Sequence, residues 1–237
     1  MTNVDKTAIR NAATVIVLRD RHSNPRILMG QRGAKAAFMP NKFVFPGGAV
    51  DASDADVPLA VPISAPCDTR LLDDLNPDAP AITPHALAVA AIRELFEETG
   101  QVLGVKRQWP SAPSGSWQSF AQSGHLPDPS GLQYVFRALT PPGRPRRFDA
   151  RFFLVDANEL TSDLDDFSQA EDELSHLQWV PLTQARGFDM PFITEVVLAE
   201  IEARVSDPTA PTSVPYFKNT DESSLFLRLY GTAQTGD

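Results

Sequence analysis

The chain has 237 residues, 42% of them hydrophobic and 22% charged, enough to bury a sizeable core in one large domain or two small ones. Its 30 acidic residues outnumber 21 basic ones, and the formal net charge of −9 argues against a nonspecific grip on long nucleic acid through counterion release. No run approaches the roughly 18 apolar residues of a membrane span, so no membrane is expected as a partner. The opening residues, Met1 to Lys6, lack a charged-then-apolar leader pattern, and Thr235-Gly236-Asp237 is no organelle address, so the expected compartment is the cytoplasm. The single cysteine, Cys67, cannot form an internal disulfide or supply a cysteine zinc cluster, and it is read as inert.

The apolar, β-branched run 12–19 predicts a buried strand, broken by the polar stretch 20–25 with its Pro25. Residues 26–32 supply its partner, so a hairpin opens the domain. A third short strand, 43–45, stops at Pro46-Gly47-Gly48, where the backbone must turn sharply. Between Asp51 and Thr83, Pro58, Pro62, Pro66, Pro77 and Pro80 predict an inserted surface loop with one short helical candidate at 68–75. Thr83-Pro84 is a helix start, an N-cap hydroxyl followed by proline at the first helical position, and Gly100 is the matching stop, giving a helix over 84–99.

From 106 to 133 the pattern is weak. A short helix at 116–123 is all it offers, and Trp109 and Trp117 are open to core packing or to stacking on a base. Strands follow at 133–139 and 151–156, joined by a proline-rich segment carrying Arg144, Arg146 and Arg147. An acidic loop, 161–175, precedes a strand at 177–182, and a final helix runs from Pro191 to about Val205. The segment 214–230 could cover a partner, making a homodimer possible, or pack on its own domain. His22, His85, His125 and His176 show no metal-ligand spacing. Strands and helices mix without a βαβ rhythm or a repeat, which gives class α+β. The reading is a single domain over 1–237, with an insertion at about 55–83 and a C-terminal helix plus tail at about 191–237.

The helix 84–99 carries the chemistry. Taking 100° per residue from Glu94, Glu97 falls at about 300° and Glu98 at about 40°, so three carboxylates share one sector. Ala88, Val89, Ile92, Leu95 and Phe96 fall opposite, predicting an apolar stripe against the sheet and an acid face pointing away. Carboxylates at this spacing repel by a few tenths of a kcal/mol per pair, and Arg93 alone cannot neutralise them. A hard divalent cation, Mg²⁺ or Mn²⁺, would; a solvated acidic face is the plainer alternative.

In this order the glycine turn and the acid helix resemble the Nudix hydrolase signature: a glycine, five residues, an acid, seven residues, then Arg-Glu-apolar-x-Glu-Glu-x-Gly-apolar. Gly48 opens it, Asp54 stands where the family has glutamate, and Arg93-Glu94-Leu95-Phe96-Glu97-Glu98-Thr99-Gly100 closes it. Residues 55–92 replace the usual seven, and Gln101 replaces the final apolar residue. With Phe43-Val44-Phe45-Pro46 upstream and Leu177-Gln178-Trp179-Val180-Pro181-Leu182 downstream, the likeness runs over roughly 12–205. The expanded box, with the stretches 147–153 and 173–179, also resembles the branch that includes a peroxisomal coenzyme A diphosphatase.

The resemblance implies an α/β/α sandwich with a mixed sheet, and cleavage of a nucleoside diphosphate linked to another moiety by water with Mg²⁺ or Mn²⁺. By motif position it implies Glu94, Glu97 and Glu98 as metal ligands, with the Gly48 carbonyl beside them. Glu94, Glu98 and Arg93 would form the catalytic group, Arg93 by orienting a glutamate. The base is a helix glutamate or a loop carboxylate, Glu173 first and Glu171 next. Arg32, Gly47, Gly48, Arg146 and Arg147 are the substrate-binding candidates, although Arg32 suits an ion pair and the basic segment a solvated hairpin equally well. The expected substrate is CoA or acyl-CoA, cleaved to 3′,5′-ADP and an (acyl-)phosphopantetheine. An ADP-ribose, dinucleotide or nucleotide-sugar pyrophosphatase is the alternative, and a non-catalytic nucleotide-binding regulator a second.

Overall fold

The strand β1 (Ile9–Arg19) is apolar without alternation because it is covered on both faces. Its Val15 and Val17 belong to one apolar cluster, and Ile16 and Leu18 to a second on the opposite side. In the computed structural model, which describes residues 8–220 and 223–231, β1 lies inside a nine-stranded mixed sheet. The readings made on Met1 to Lys6 and on Thr235 to Asp237 lie outside the described residues.

The other strands of this sheet are β2 (Arg26–Arg32), β3 (Phe43–Val44), β4 (Gly47–Ala49), β7 (Gln133–Leu139), β8 (Arg147–Asp156), β9 (Leu174–Pro181), β10 (Val214–Asn219) and β11 (Ser224–Leu229). Their order is β11-β10-β7-β8-β1-β2-β3, with β4 on β1 and β9 on β2. The pairs β1–β8 and β10–β7 are parallel and the rest antiparallel. Helix α2 (Pro84–Thr99) covers one face, and α4 (Phe192–Arg204) the other through Val197, Leu198 and Ile201. This is the expected sandwich, with the opening hairpin, strand 133–139 and both long helices where the sequence puts them. The segment 214–230 forms β10 and β11 and extends its own chain's sheet.

Three expectations are corrected. The insertion does not hang outward as a surface loop: Val57, Ile63, Cys67 and Leu71 are buried in the cluster under α2. Its helix α1 (Ala65–Leu71) begins earlier than 68, because Pro66 sits in the first turn and fixes the helical φ there. The carbonyls of Asp73 and Asp74 each accept from Arg137 Nη1 at 2.9 Å, so the insertion is tied to β7. The weak stretch after 103 is also ordered. Strands β5 (Gly104–Lys106) and β6 (His125–Pro127) pair antiparallel, and α3 (Trp117–Gln122) lies between them in sequence. Trp117 is buried with Phe120 and Phe96, which favours packing over stacking on a base; Trp109 donates from Nε1 to the His125 carbonyl at 2.8 Å and packs against both Trp117 and Phe120. Third, α2 has no exposed acid face: Glu94 and Glu98 are buried along with its apolar residues. Among the described residues no helix is long and apolar enough to cross a membrane.

Candidate active site

Helix α2 is delimited as its sequence requires. The Thr83 side chain accepts from the Ala86 N–H, Pro84 occupies the first position, and Gly100, at φ 73°, donates back to the Phe96 carbonyl. Both ends are therefore fixed, and so is the phase of the three glutamates.

Arg93 organises them. Its Nε and Nη2 donate to the two oxygens of Asp54 at 2.9 and 3.0 Å, and Nη2 also donates to the Ala49 carbonyl at 2.9 Å. Its Nη1 donates to Glu94 Oε1 at 2.8 Å and to Glu97 Oε2 at 2.9 Å. The full donor capacity of the guanidinium is used, and one oxygen each of Glu94 and Glu97 stays outside these bonds. Glu98 is held separately by the glycine turn, its Oε2 accepting from the Gly47 N–H at 2.7 Å. Its Oε1 is buried with no hydrogen-bond partner, and the residue is only 2% exposed.

The turn and the helix touch where the residues are smallest. A methyl group added at Gly48 would collide with the Glu94 carboxylate, and one at Gly47 would lie 2.6 Å from the Ala13 carbonyl oxygen and from Thr14 Cα. Burial pushes the Glu94 carboxyl up to about 7 even though the Arg93 charge works against the shift. Glu98 is pushed well above the ordinary carboxylate range by burial, with the Glu94 charge adding to the effect.

The acidic loop is fastened to the end of this helix. The Glu171 N–H donates to the Glu97 carbonyl at 2.7 Å, and Gln101 Nε2 donates to the carbonyls of Asp163 and Asp166, both at 3.1 Å. The loop ends at Glu173, whose Oε1 accepts from Arg32 Nη2 at 2.7 Å. Arg32 thus forms the ion pair that was one of its two readings.

A cavity of about 740 Å³ opens over the α4 side of the sheet. Gly47, Gly48, Glu94, Glu173 and Arg32 line one part of it, and Arg10, Arg144 and Arg146 bring further positive charge. The remaining wall is apolar, with Phe45, Phe152, Met190 and Phe217 among its residues. Arg147 stands outside the lining, its Nε donating to the Thr140 carbonyl at 3.2 Å. The insertion contributes nothing to the lining. A second, open depression of about 610 Å³ beside Lys106, Arg107 and Trp109 holds no carboxylate.

No family model matches the chain. It is 29% identical over 183 residues to a Caenorhabditis elegans protein provisionally named nudix hydrolase 7, a match covering 72% of this chain and 51% of that one. It is also 29% identical over 178 residues to the acyl-coenzyme A diphosphatase NUDT19 of Gallus gallus, covering 54% and 47%. The chain therefore spans about half the length of the curated relatives it matches. The crystal structure of a Nudix hydrolase from Alicyclobacillus acidocaldarius superposes with a TM-score of 0.58 at 28% identity, covering 86% of this chain and 94% of that one. The chain is similar to Nudix hydrolases in both sequence and fold.

Its departures from the Nudix box now have physical accounts. The insertion leaves and returns beside the same arginine, so Asp54 still reaches Arg93 across 39 positions. Aspartate suffices there because Asp54 rides on a short 3₁₀ turn (Ala52–Asp56) that packs against α2. Gln101, fully buried where the Nudix box has an apolar residue, serves as a tether for the acidic loop. Sequence reasoning missed Arg10 and the residues at the start of α4 as part of the cavity; the parallel β1–β8 pairing and the return of α4 bring them there, and neither leaves a local signal.

Proposed function

We propose that this Nudix-like chain hydrolyses the pyrophosphate bond of a nucleoside diphosphate linked to a second group, and that the substrate is CoA or acyl-CoA, cleaved to 3′,5′-ADP and (acyl-)phosphopantetheine. The observation that carries the reading is the buried, unpartnered Glu98 oxygen beside the Arg93-held Glu94 and Glu97, set against a glycine turn at the wall of a partly basic cavity.

These residues fit a hard divalent cation. The donors are carboxylate oxygens, one of them orphaned in the interior, and Gly48 keeps open a space that any side chain would fill. Among the described residues no three acidic, histidine or cysteine side chains form a closed coordination set, since Arg93 holds one oxygen each of Glu94 and Glu97. Glu94, Glu97 and Glu98 would hold Mg²⁺ or Mn²⁺, with the Gly48 carbonyl adjoining. Bound there, such ions would neutralise the pyrophosphate and lower the pKa of an attacking water.

The protein's own groups do the rest. Arg93 fixes Glu94 and Glu97, and the Gly47 N–H fixes Glu98. Glu173 accepts the proton of the attacking water, oriented by Arg32, which also neutralises a substrate phosphate. Arg144 and Arg146 pair with phosphate oxygens remote from the reaction, while Arg147 braces their hairpin. The apolar wall suits the pantetheine part of CoA, and the likeness to a protein named acyl-coenzyme A diphosphatase points the same way.

The test incubates the protein and its Glu97→Gln variant with Mg²⁺ or Mn²⁺ and CoA, dephospho-CoA, acetyl-CoA, ADP-ribose, NADH or nucleotide sugars, identifying products by mass. Release of 3′,5′-ADP from CoA, lost in the variant and slower from dephospho-CoA when Arg146 contributes, is the expected result. AMP from ADP-ribose or NADH in its place would overturn the CoA assignment. Binding without product from any compound would make the protein a nucleotide-binding regulator.

A further inference from the structure

An aromatic row leaves the cavity on the side away from the carboxylates. Phe192, the first residue of α4, lines the cavity and is 67% exposed. Its ring lies 6.4 Å from that of Phe217 on β10, which also lines the cavity. Phe217 in turn lies 6.3 Å from Phe226 on the edge strand β11, and Phe226, 57% exposed, rests 6.2 Å from the buried Phe136. Large aromatic rings left open to water in a row are costly unless something covers them, and such patches mark binding grooves.

The sheet gives this row a distance from the reaction. Gly48 on β4 pairs with Ala13 on the edge of β1 opposite β8, so β10 lies four strands from β4 in the order β4-β1-β8-β7-β10, with β11 one further. At about 4.8 Å per strand, Phe217 stands about 19 Å from the glycine turn and Phe226 about 24 Å. An extended pantetheine arm of about a dozen bonds spans roughly 15 Å. A substrate whose pyrophosphate lies at Gly48 and whose arm crosses the sheet therefore ends its thiol about one strand short of Phe217, and an acyl chain on that thiol continues over Phe217 toward Phe226.

We infer that Phe192, Phe217 and Phe226 form a subsite for the acyl chain of an acyl-CoA thioester, so that the chain prefers substrates carrying an apolar acyl group over free CoA. The inference rests on the proposed CoA reading and adds a second, separable binding region to it. Each part of the ligand meets matching chemistry: phosphates at the arginines, the pantetheine arm along the apolar wall, and the hydrocarbon over the exposed rings.

The test compares kcat/KM for CoA, octanoyl-CoA and lauroyl-CoA, the last below its micelle-forming concentration, in the native chain and in Phe226→Ser, a substitution outside the cavity lining. The native chain should favour lauroyl-CoA over CoA, and Phe226→Ser should reduce that ratio about tenfold, the effect of uncovering one aromatic contact with the alkyl chain. Phe192→Ala should reduce it likewise, and thermal melting verifies that both variants fold. Equilibrium binding of the same ligands to Glu97→Gln separates the two readings. Tighter lauroyl-CoA binding, weakened by Phe226→Ser, in a chain that cleaves nothing would keep the subsite and sink the hydrolase. Cleavage of CoA and lauroyl-CoA at one ratio in all variants would sink the subsite alone, and binding of neither would sink both. Light scattering gives the last outcome: a native dimer that Phe226→Ser dissolves would assign the row to a second copy of the chain and overturn the subsite.

Discussion

Asp54 and Arg93 lie on opposite sides of the insertion and meet as a two-pronged ion pair, Nε to Oδ1 at 2.9 Å and Nη2 to Oδ2 at 3.0 Å, with Asp54 wholly buried. The pair joins the two halves of the interrupted Nudix-like signature. It also ties the insertion to the acid cluster, because the same guanidinium holds Glu94 and Glu97.

Removing one partner of such a pair strands the other charge in the interior. Asp54→Asn should therefore destabilise the chain by about 3–5 kcal/mol in urea unfolding. Arg93→Lys, which keeps the charge but loses the planar fork, should lower kcat far more than stability, since a lysine cannot hold Asp54, Glu94 and Glu97 at once. Denaturation curves beside steady-state rates check both; equal rates in Arg93→Lys and the native chain would refute the positioning role.

Adjacent glycines should behave differently. At Gly48 the atoms nearest an added methyl belong to the Glu94 carboxylate at the end of its side chain, not to backbone, so Gly48→Ala should fold with a loss of about 1 kcal/mol or less while displacing the carboxylate and cutting turnover by at least tenfold. At Gly47 it meets the backbone of Ala13 and Thr14, so Gly47→Ala should cost about 1–3 kcal/mol and loosen β4 from β1. Thermal melts and rates on the two variants read the contrast directly.

This contrast shows what the sequence makes legible. Helix α2 was readable because Thr83, Pro84 and Gly100 are local signals, and the acid cluster because its spacing is set by the helical repeat. The state of that cluster was not, since the burial of Glu94 and Glu98 depends on the glycine turn and the acidic loop closing over them from distant parts of the chain. The insertion misled for a similar reason: its prolines signal irregular backbone, while Val57, Ile63, Cys67 and Leu71 are too widely spaced to reveal a periodic face. The strands at 214–219 and 224–229 gave apolar residues but not a partner, because parallel pairing with β7 is set only by the assembled sheet.

Gln101 offers a test of the loop tether. Gln101→Leu restores the apolar residue of the Nudix signature but removes hydrogen bonds to Asp163 and Asp166 and one from Ser162. The loss should be about 1–3 kcal/mol. Protease cleavage within 162–173 should accelerate ahead of global unfolding, because the loop rather than the core is released. Unchanged cleavage would show that Trp179 Nε1 on the Leu164 carbonyl and Arg19 on Asp165 hold the loop without help.

The buried carboxyls give the metal-free protein an inverted pH dependence. Burial raises Glu94 to about 7 and Glu98 well up, so both bind protons more tightly folded than unfolded, where a glutamate has a pKa of about 4.3. The stability each contributes is fully present below the unfolded value and is lost as pH rises through its folded value, about 7 for Glu94. The urea midpoint in chelator should accordingly fall between pH 5.5 and 8, and Glu98→Gln, which removes one charge at constant shape, should raise the midpoint at pH 8 while changing it little at pH 5.5. Mg²⁺ or Mn²⁺ bound as proposed would compensate the ionised carboxylates, so its addition should raise the melting temperature more at pH 8 than at pH 6, and Glu98→Gln should remove most of that gain. A metal shift of the same size at both pH values, or one that survives in Glu98→Gln, would place the cation elsewhere.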